Sequence, residues 1–194
     1  MTHPVRIGVQ RKPRTVRYLQ RDDEGWDVTV LSAGLLLHRP ATGGGVELLL
    51  GHMGGPFWAK KDDAAWSIPK GEHDPGEDPR DAARREFTEE TGSPPPDGRL
   101  RDLGSVKQRG GKVVAVFALA GDFDADHIDS NTFTIEWPPR SGRIASFPEI
   151  DRAAWFDPDT ARRKLVAGQV AFVDRLLASL RDTSGPASGT PPVR

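Results

Sequence analysis

Cysteine is absent from the 194 residues. That excludes disulfides, thiolate metal sites and cysteine nucleophiles together, and a reducing, cytoplasmic setting is the expectation. No apolar run approaches the roughly 18 residues of a spanning helix. The N-terminus has no apolar leader core either, so neither a membrane span nor a signal peptide is expected. Net charge is equally scarce: 27 Lys and Arg stand against 28 Asp and Glu, leaving −1. Bulk electrostatics therefore do not favour a general binder of nucleic acid or membrane surface. Tyrosine occurs once, at Tyr18.

What charge there is lies unevenly. Residues 1–21 hold Arg6, Arg11, Lys12, Arg14, Arg17 and Arg21 with no acid. Such an arm is either a poorly ordered extension or a tether for nucleotide phosphates or RNA. The opposite end, TSGPASGTPPVR, is rich in Pro, Gly and Ser without periodicity and reads as a disordered tail. The expected division is a basic extension over 1–27, one domain over 28–182 and the tail over 183–194.

Within the domain, Val28–Arg39 and Val46–Gly51 are rich in strand formers around a PATGGG turn. No Lys-Ser or Lys-Thr follows those glycines, so a hairpin is expected there rather than a phosphate loop. Trp66–Pro69 is a further short strand. Leu100–Gln108 and Val113–Ala120 should pair across Arg109-Gly110-Gly111. Phe133–Trp137, Ile144–Phe147 and Ala153–Phe156 are weaker strand candidates. Asp159–Leu165 and Gln169–Leu180 read as helices, the second with an apolar stripe through Val173, Leu176 and Leu180. Strands with interspersed helices, but no regular β-α-β alternation, point to a mixed α/β or α+β sandwich.

The most informative stretch is WSIPKGEHDPGEDPRDAARREFTEETGS, Trp66 to Ser93. Asp78 is a good N-cap, Pro79 suits the first helical turn and Gly92 is a natural stop, which predicts a helix over Pro79–Thr91. On it Glu86, Glu89 and Glu90 fall at i, i+3 and i+4 on one face, a locally repulsive arrangement. It is either a solvated acidic face or a site for a hard cation such as Mg²⁺ or Mn²⁺.

The surrounding spacing separates those readings. Gly71, Glu77, Arg85, Glu86, Glu89, Glu90 and Gly92, with apolar Phe87 after Glu86, resemble the signature of the Nudix hydrolases at all seven fixed Gly, Glu and Arg positions. At roughly 7% usage per position, seven fixed residues recur by chance about once in 10⁸ windows. One position departs: Ser93 stands where the signature is usually aliphatic.

The resemblance implies an α/β fold, a Nudix-type α/β/α sandwich with a mixed sheet. It also implies metal-dependent hydrolysis of a nucleoside diphosphate linked to another group, with Mg²⁺ or Mn²⁺ as cofactor and a nucleotide as small-molecule substrate. Carried over by residue, Glu86, Glu89 and Glu90 are metal ligands together with the Lys70 carbonyl. Glu86 or Glu89 helps to activate water. Glu77 and Arg85 orient the helix, Gly71 permits the loop and Gly92 ends the motif. Many members bring another carboxylate from a later loop; Glu149 is the candidate here, with a plain surface glutamate as its other reading and Glu136 as the weaker alternative.

For the substrate, Phe57 and Trp58 stand beside Lys60 and Lys61, and Lys70 stands next to the motif. Aromatic faces stack on bases and lysines meet phosphate; equally, the aromatics could close the core. The WSIPKG wording resembles members acting on dinucleoside polyphosphates or diphosphoinositol polyphosphates. The tyrosine that marks one group of dinucleoside-polyphosphate hydrolases past the motif, and the proline typical of ADP-ribose hydrolases, are missing, since Arg109, Gly110 and Gly111 stand there. A nucleoside triphosphate or dinucleoside polyphosphate is therefore expected. An RNA 5′-end pyrophosphohydrolase and a non-catalytic nucleotide sensor are the alternatives.

Overall fold

The computed structural model describes residues 18–22, 25–108 and 111–183. Most of the basic arm, the Arg109-Gly110 turn and residues 184–194 lie outside the described residues.

The centre of the fold is a mixed sheet built around one long strand, β2 (Gly25–Pro40). Along its length β2 pairs with β1 (Tyr18–Asp22), β3 (Val46–Met53), β5 (Lys70–Glu72) and β7 (Lys112–Ala120). The pairing with β7 is parallel, from Val30↔Lys112 to His38↔Ala120; the others are antiparallel. β4 (Trp66–Ser67) and β10 (Ile150–Phe156) add to β3, and β6 (Arg101–Lys107) adds to β7. A separate two-stranded sheet joins β8 (Thr132–Glu136) to β9 (Ile144–Pro148).

The run AGLLL in β2, Ala33 to Leu37, is continuously apolar because both faces of the sheet are covered. Leu35 and Leu37 point to one face, with Leu49, Phe117 and Leu119, and pack under helix α1 (Pro79–Thr91) through Ala82, Ala83 and Phe87. Leu36 points to the other, with Leu48, Leu50, Val114 and Val116, under α2 (Pro158–Lys164) and α3 (Val170–Thr183) through Ala161, Phe172, Val173 and Leu176. The strand's period of two thus feeds two separate cores.

Capping chemistry sets the helix ends. The Asp78 carboxylate accepts the Arg80 N–H at 2.8 Å, and Gly92, at φ 81°, donates its N–H to Thr88 O at 2.8 Å. Asp157 caps α2 by accepting from Asp159 and Thr160 at 3.0 Å each.

The expected strands and all three helices are present, with differences at their edges. β1 and β5 were not expected, and β10 begins at Ile150 rather than Ala153. Both β5 and β10 are irregular in register or very short, so their residues carry little alternation to read. Among the described residues no helix is long and apolar enough to cross a membrane.

One buried amide fastens the strand that leads into the motif. Gln169 is 1% exposed; its Oε1 accepts the Ile68 N–H at 2.7 Å and its Nε2 donates to Ser67 Oγ at 3.0 Å. Gln169→Leu would leave that backbone N–H buried without a partner. We expect a loss of about 1–3 kcal/mol in urea unfolding; an unchanged midpoint would show that the Ile68 N–H finds another acceptor.

Candidate active site

Helix α1 turns an unusual face to the protein interior. Besides Ala82, Ala83 and Phe87 it buries Glu86 and Glu90, at 9% and 8% exposure. Carboxylates are rarely that deep unless paired. Their partners come from β5 and from α1 itself.

Arg85 is the hub. Its Nε and Nη2 grip the two oxygens of Glu77 at 2.9 and 3.1 Å, a bidentate pair. Nη1 donates to Glu86 Oε1 and lies 3.7 Å from Glu89 Oε2. Nη2 also donates to Glu72 O at 3.3 Å. The hydrogen bonds that Arg85 donates to Glu77, and after them the one it donates to Glu86, hold the guanidinium charged throughout the accessible pH range.

β5 is held against the same helix. Ser32 donates its hydroxyl to Gly71 O at 2.7 Å, and the Lys70 N–H donates to Glu90 Oε2 at 2.8 Å. A Cβ on Gly71 would stand 1.7 Å from Glu86 Oε2. The Glu86 carboxylate therefore lies directly against the β5 backbone, where only glycine leaves room.

Four carboxylates act on one another here. Burial pushes the Glu90 pKa up to about 8; Lys70 opposes the rise, while Glu149 and Glu86 add to it. Burial also raises Glu86, against the Arg85 pairing and with help from Glu89 and Glu149. Glu149 stays open on its outer side, yet the protein around its carboxyl raises its pKa, Lys70 opposing and Glu89 adding. Arg85 and Lys70 are the cations these shifts name, so negative charge is in excess.

The donor set consists of hard carboxylate oxygens, which fits Mg²⁺ or Mn²⁺ and not a soft metal. Among the described residues no three acidic or histidine side chains already stand close enough to hold an ion. Arg85 instead occupies one oxygen of Glu86 and lies beside Glu89.

The other expected site residues are placed unequally. Phe57 is exposed and Trp58 is half-buried against the core under α2 and α3. Lys61 covers the Trp58 ring at 4.6 Å, and Lys60 is exposed. Their loop starts at Gly54, whose N–H donates to Glu149 O at 2.9 Å. Glu136 is engaged within the β8–β9 hairpin, accepting the Gly142 N–H at 2.7 Å. Buried His52 is structural: its ring nitrogens lie 2.7 Å from Asp151 Oδ1 and 2.9 Å from Lys61 O.

Sequence reasoning missed Ser32, Glu72 and Lys112. Lys112 on β7 pairs with Glu72 at 3.6 Å, and its pKa is lowered by burial and then by repulsion from Lys70. Only the parallel β2–β7 pairing brings it beside β5, so no local signal announced it. An open cleft of about 620 Å³, lined by Arg39, Phe123, Ala125 and Trp155, lies toward the other end of β2 and contains none of the motif residues.

A family model for the NUDIX domain matches residues 28–176. The chain belongs to the Nudix family. It is accordingly a Nudix hydrolase acting on pyrophosphate bonds.

Solved structures share the Nudix fold at low identity. A Caenorhabditis elegans Ap4A hydrolase in a binary complex is 22% identical over 79% of this chain and 99% of its own, with a TM-score of 0.54. The NUDIX domain of Shewanella oneidensis NrtR, complexed with ADP ribose, is 16% identical over 82% and 94%, at 0.55. The Nudix hydrolase RenU of M. smegmatis is 23% identical over 87% and 96%, at 0.52. No curated protein matches the chain at a significant level.

The buried glutamates of this Nudix fold have a consequence for stability. In the unfolded chain Glu90 ionises near its ordinary 4.5, while in the fold it resists until about 8. The metal-free fold should therefore lose stability as pH rises through that window and level off above it. Glu90→Gln, which keeps an acceptor for the Lys70 N–H, should flatten this dependence. It should raise the melting temperature at pH 8 in chelator, by roughly 2–4 °C per kcal/mol recovered. Equal pH profiles for the two proteins would place the Glu90 carboxyl in contact with water. Gly71→Ala should cost about 1–3 kcal/mol by displacing Glu86, read by the same melts.

Proposed function

We infer that the protein hydrolyses a pyrophosphate bond of a nucleoside triphosphate or dinucleoside polyphosphate, with Mg²⁺ or Mn²⁺ held by Glu86, Glu89, Glu90, the Lys70 carbonyl and Glu149. The observation that supports this best is the crowding of buried carboxylates on α1 with Glu149 at the β9–β10 junction, where burial first and mutual repulsion after it favour their protonated forms and leave an excess of negative charge when they ionise. A divalent ion relieves that excess.

When bound, the ion neutralises phosphate oxygens and makes water a stronger nucleophile near neutral pH. The chain's own groups do the rest. Glu89, half-exposed at the end of the glutamate face, takes the proton from the attacking water. Glu86 lies against Gly71 and is gripped by Arg85, so its orientation is set before substrate arrives. Arg85 and Glu77 are positioning residues, tying the loop before α1 to the helix. Lys70 and Lys112, on the two strands β5 and β7 that both pair with β2, face a polyphosphate chain, and Lys60 and Lys61 extend the positive charge outward. The low electrophilicity of a diphosphate is what this concentration of cations offsets.

Glu89→Gln and Glu90→Gln should each lower turnover by about 100-fold or more while the fold persists. The assay is a panel of NTPs, diadenosine polyphosphates, ADP-ribose, diphosphoinositol phosphates and 5′-triphosphate RNA, with Mg²⁺, Mn²⁺ or chelator, products separated by chromatography. Full activity of either variant at working metal concentration would remove that residue from the ligand set. Nucleotide binding without turnover on any substrate would favour the sensor reading.

A further inference from the structure

The β8–β9 hairpin stands apart from the central sheet, and its inner face is aromatic. Phe133 and Phe147 pair across the two strands at 6.1 Å, and Phe133 packs on the loop opposite, its ring 2.8 Å from where a Cβ of Gly55 would lie. At the outer end Trp137 meets Phe57 of that loop, ring centroids 5.3 Å apart and planes at 79°. Phe57 is 59% exposed. The two rings thus stand nearly perpendicular as a corner, one plane a floor and the other a wall, with Phe57 exposed and Trp137 half-buried.

Both arms of the corner are rigid. The Phe57 loop is tightened by Trp58 and Ala59 N–H bonds to Gly55 O, at 3.2 and 3.1 Å, and its far end is held by His52 on Lys61 O. The hairpin turn is closed by Trp137 N–H to Arg143 O at 2.8 Å and by Glu136 on the Gly142 N–H. Both arms also start at Glu149. Its carbonyl accepts from Gly54, its N–H donates to Asn131 O at 2.8 Å, and Pro148 just before it ends β9. Phe57 is three residues beyond Gly54, at most about 10 Å of chain. The corner is therefore within one nucleotide's reach of the carboxylates.

We propose that Phe57 and Trp137 form the base-recognition corner of the enzyme: a nucleobase stacks on one ring and sets its edge against the other while its phosphates extend to the carboxylate site. The occupant is a planar aromatic base attached to a phosphate chain. Arg140 and Arg143, exposed on the same turn, add positive charge at its rim. Trp58, by contrast, is committed to the core and to Lys61, so the ring that partners Phe57 is Trp137 of the hairpin and not the adjacent Trp58. The proposal rests on the nucleotide pyrophosphohydrolase reading, and it is tested with ligands that cannot be hydrolysed.

Calorimetric titration in Mg²⁺ would compare α,β-methylene-ADP with methylenediphosphonate, which has the same phosphate mimic but no base. Trp137→Ala and Phe57→Ala should weaken the first by about 5- to 150-fold, the range for loss of one base–aromatic stack. They should leave the second within about twofold, and Trp137→Tyr should recover most of the loss. Equal weakening of both ligands, or of neither, would overturn the proposal. So would a change in oligomeric state on sedimentation with ligand binding intact, which would make the corner a contact between copies of the chain. Failure of turnover would count against the hydrolysis reading alone, because these titrations require none.

Discussion

Arg85 makes four hydrogen bonds at once, two to Glu77 and one each to Glu86 and the Glu72 carbonyl. That one guanidinium joins the end of β5, the loop before α1 and the buried face of α1. Each partner is an acceptor, and arginine alone offers enough fixed donors in one plane to satisfy them. A lysine would carry the same charge but could not hold both oxygens of Glu77 and still reach Glu86. The geometry of the glutamate face follows from this grip, because Glu86 and Glu89 both lie within its reach.

The cost of the site is carried by the helix. Burying Glu86 and Glu90 on a face that also packs Ala82, Ala83 and Phe87 works against the stability of the metal-free fold. The backbone offsets part of that cost: the Lys70 N–H binds Glu90, and β5 sits close enough to α1 only because residue 71 lacks a side chain. On the proposed function, activity and stability pull in opposite directions at the same residues, a relation expected where charge is stored for a ligand. The two hydrophobic cores on either side of the sheet supply the surplus that tolerates it.

The substrate selection we propose belongs to a different part of the molecule. The carboxylates sit on the rigid sheet–helix layer, whereas Phe57, Trp137, Arg140 and Arg143 come from a loop and a hairpin outside the central sheet. Both elements run out from Glu149, which is itself at a β9–β10 turn. Separate elements allow the recognition surface to vary while the phosphate chemistry stays on its scaffold.

The sequence by itself determined the helix and its chemistry. Asp78, Pro79 and Gly92 specify the ends of α1 through local capping, and the i, i+3, i+4 spacing alone places Glu86, Glu89 and Glu90 on one face. The apolar run of β2 and the stripe of α3 likewise follow from short-range pattern, which is why these elements were legible. What only the tertiary structure decided depends on contacts between residues far apart in the chain. β5 exists because β2 offers it an edge, and Lys112 meets Glu72 because β7 runs parallel to β2. Trp137 meets Phe57 across a separation of 80 residues because two irregular segments both anchor at Glu149. No periodicity records such meetings; the packing of the sheet creates them.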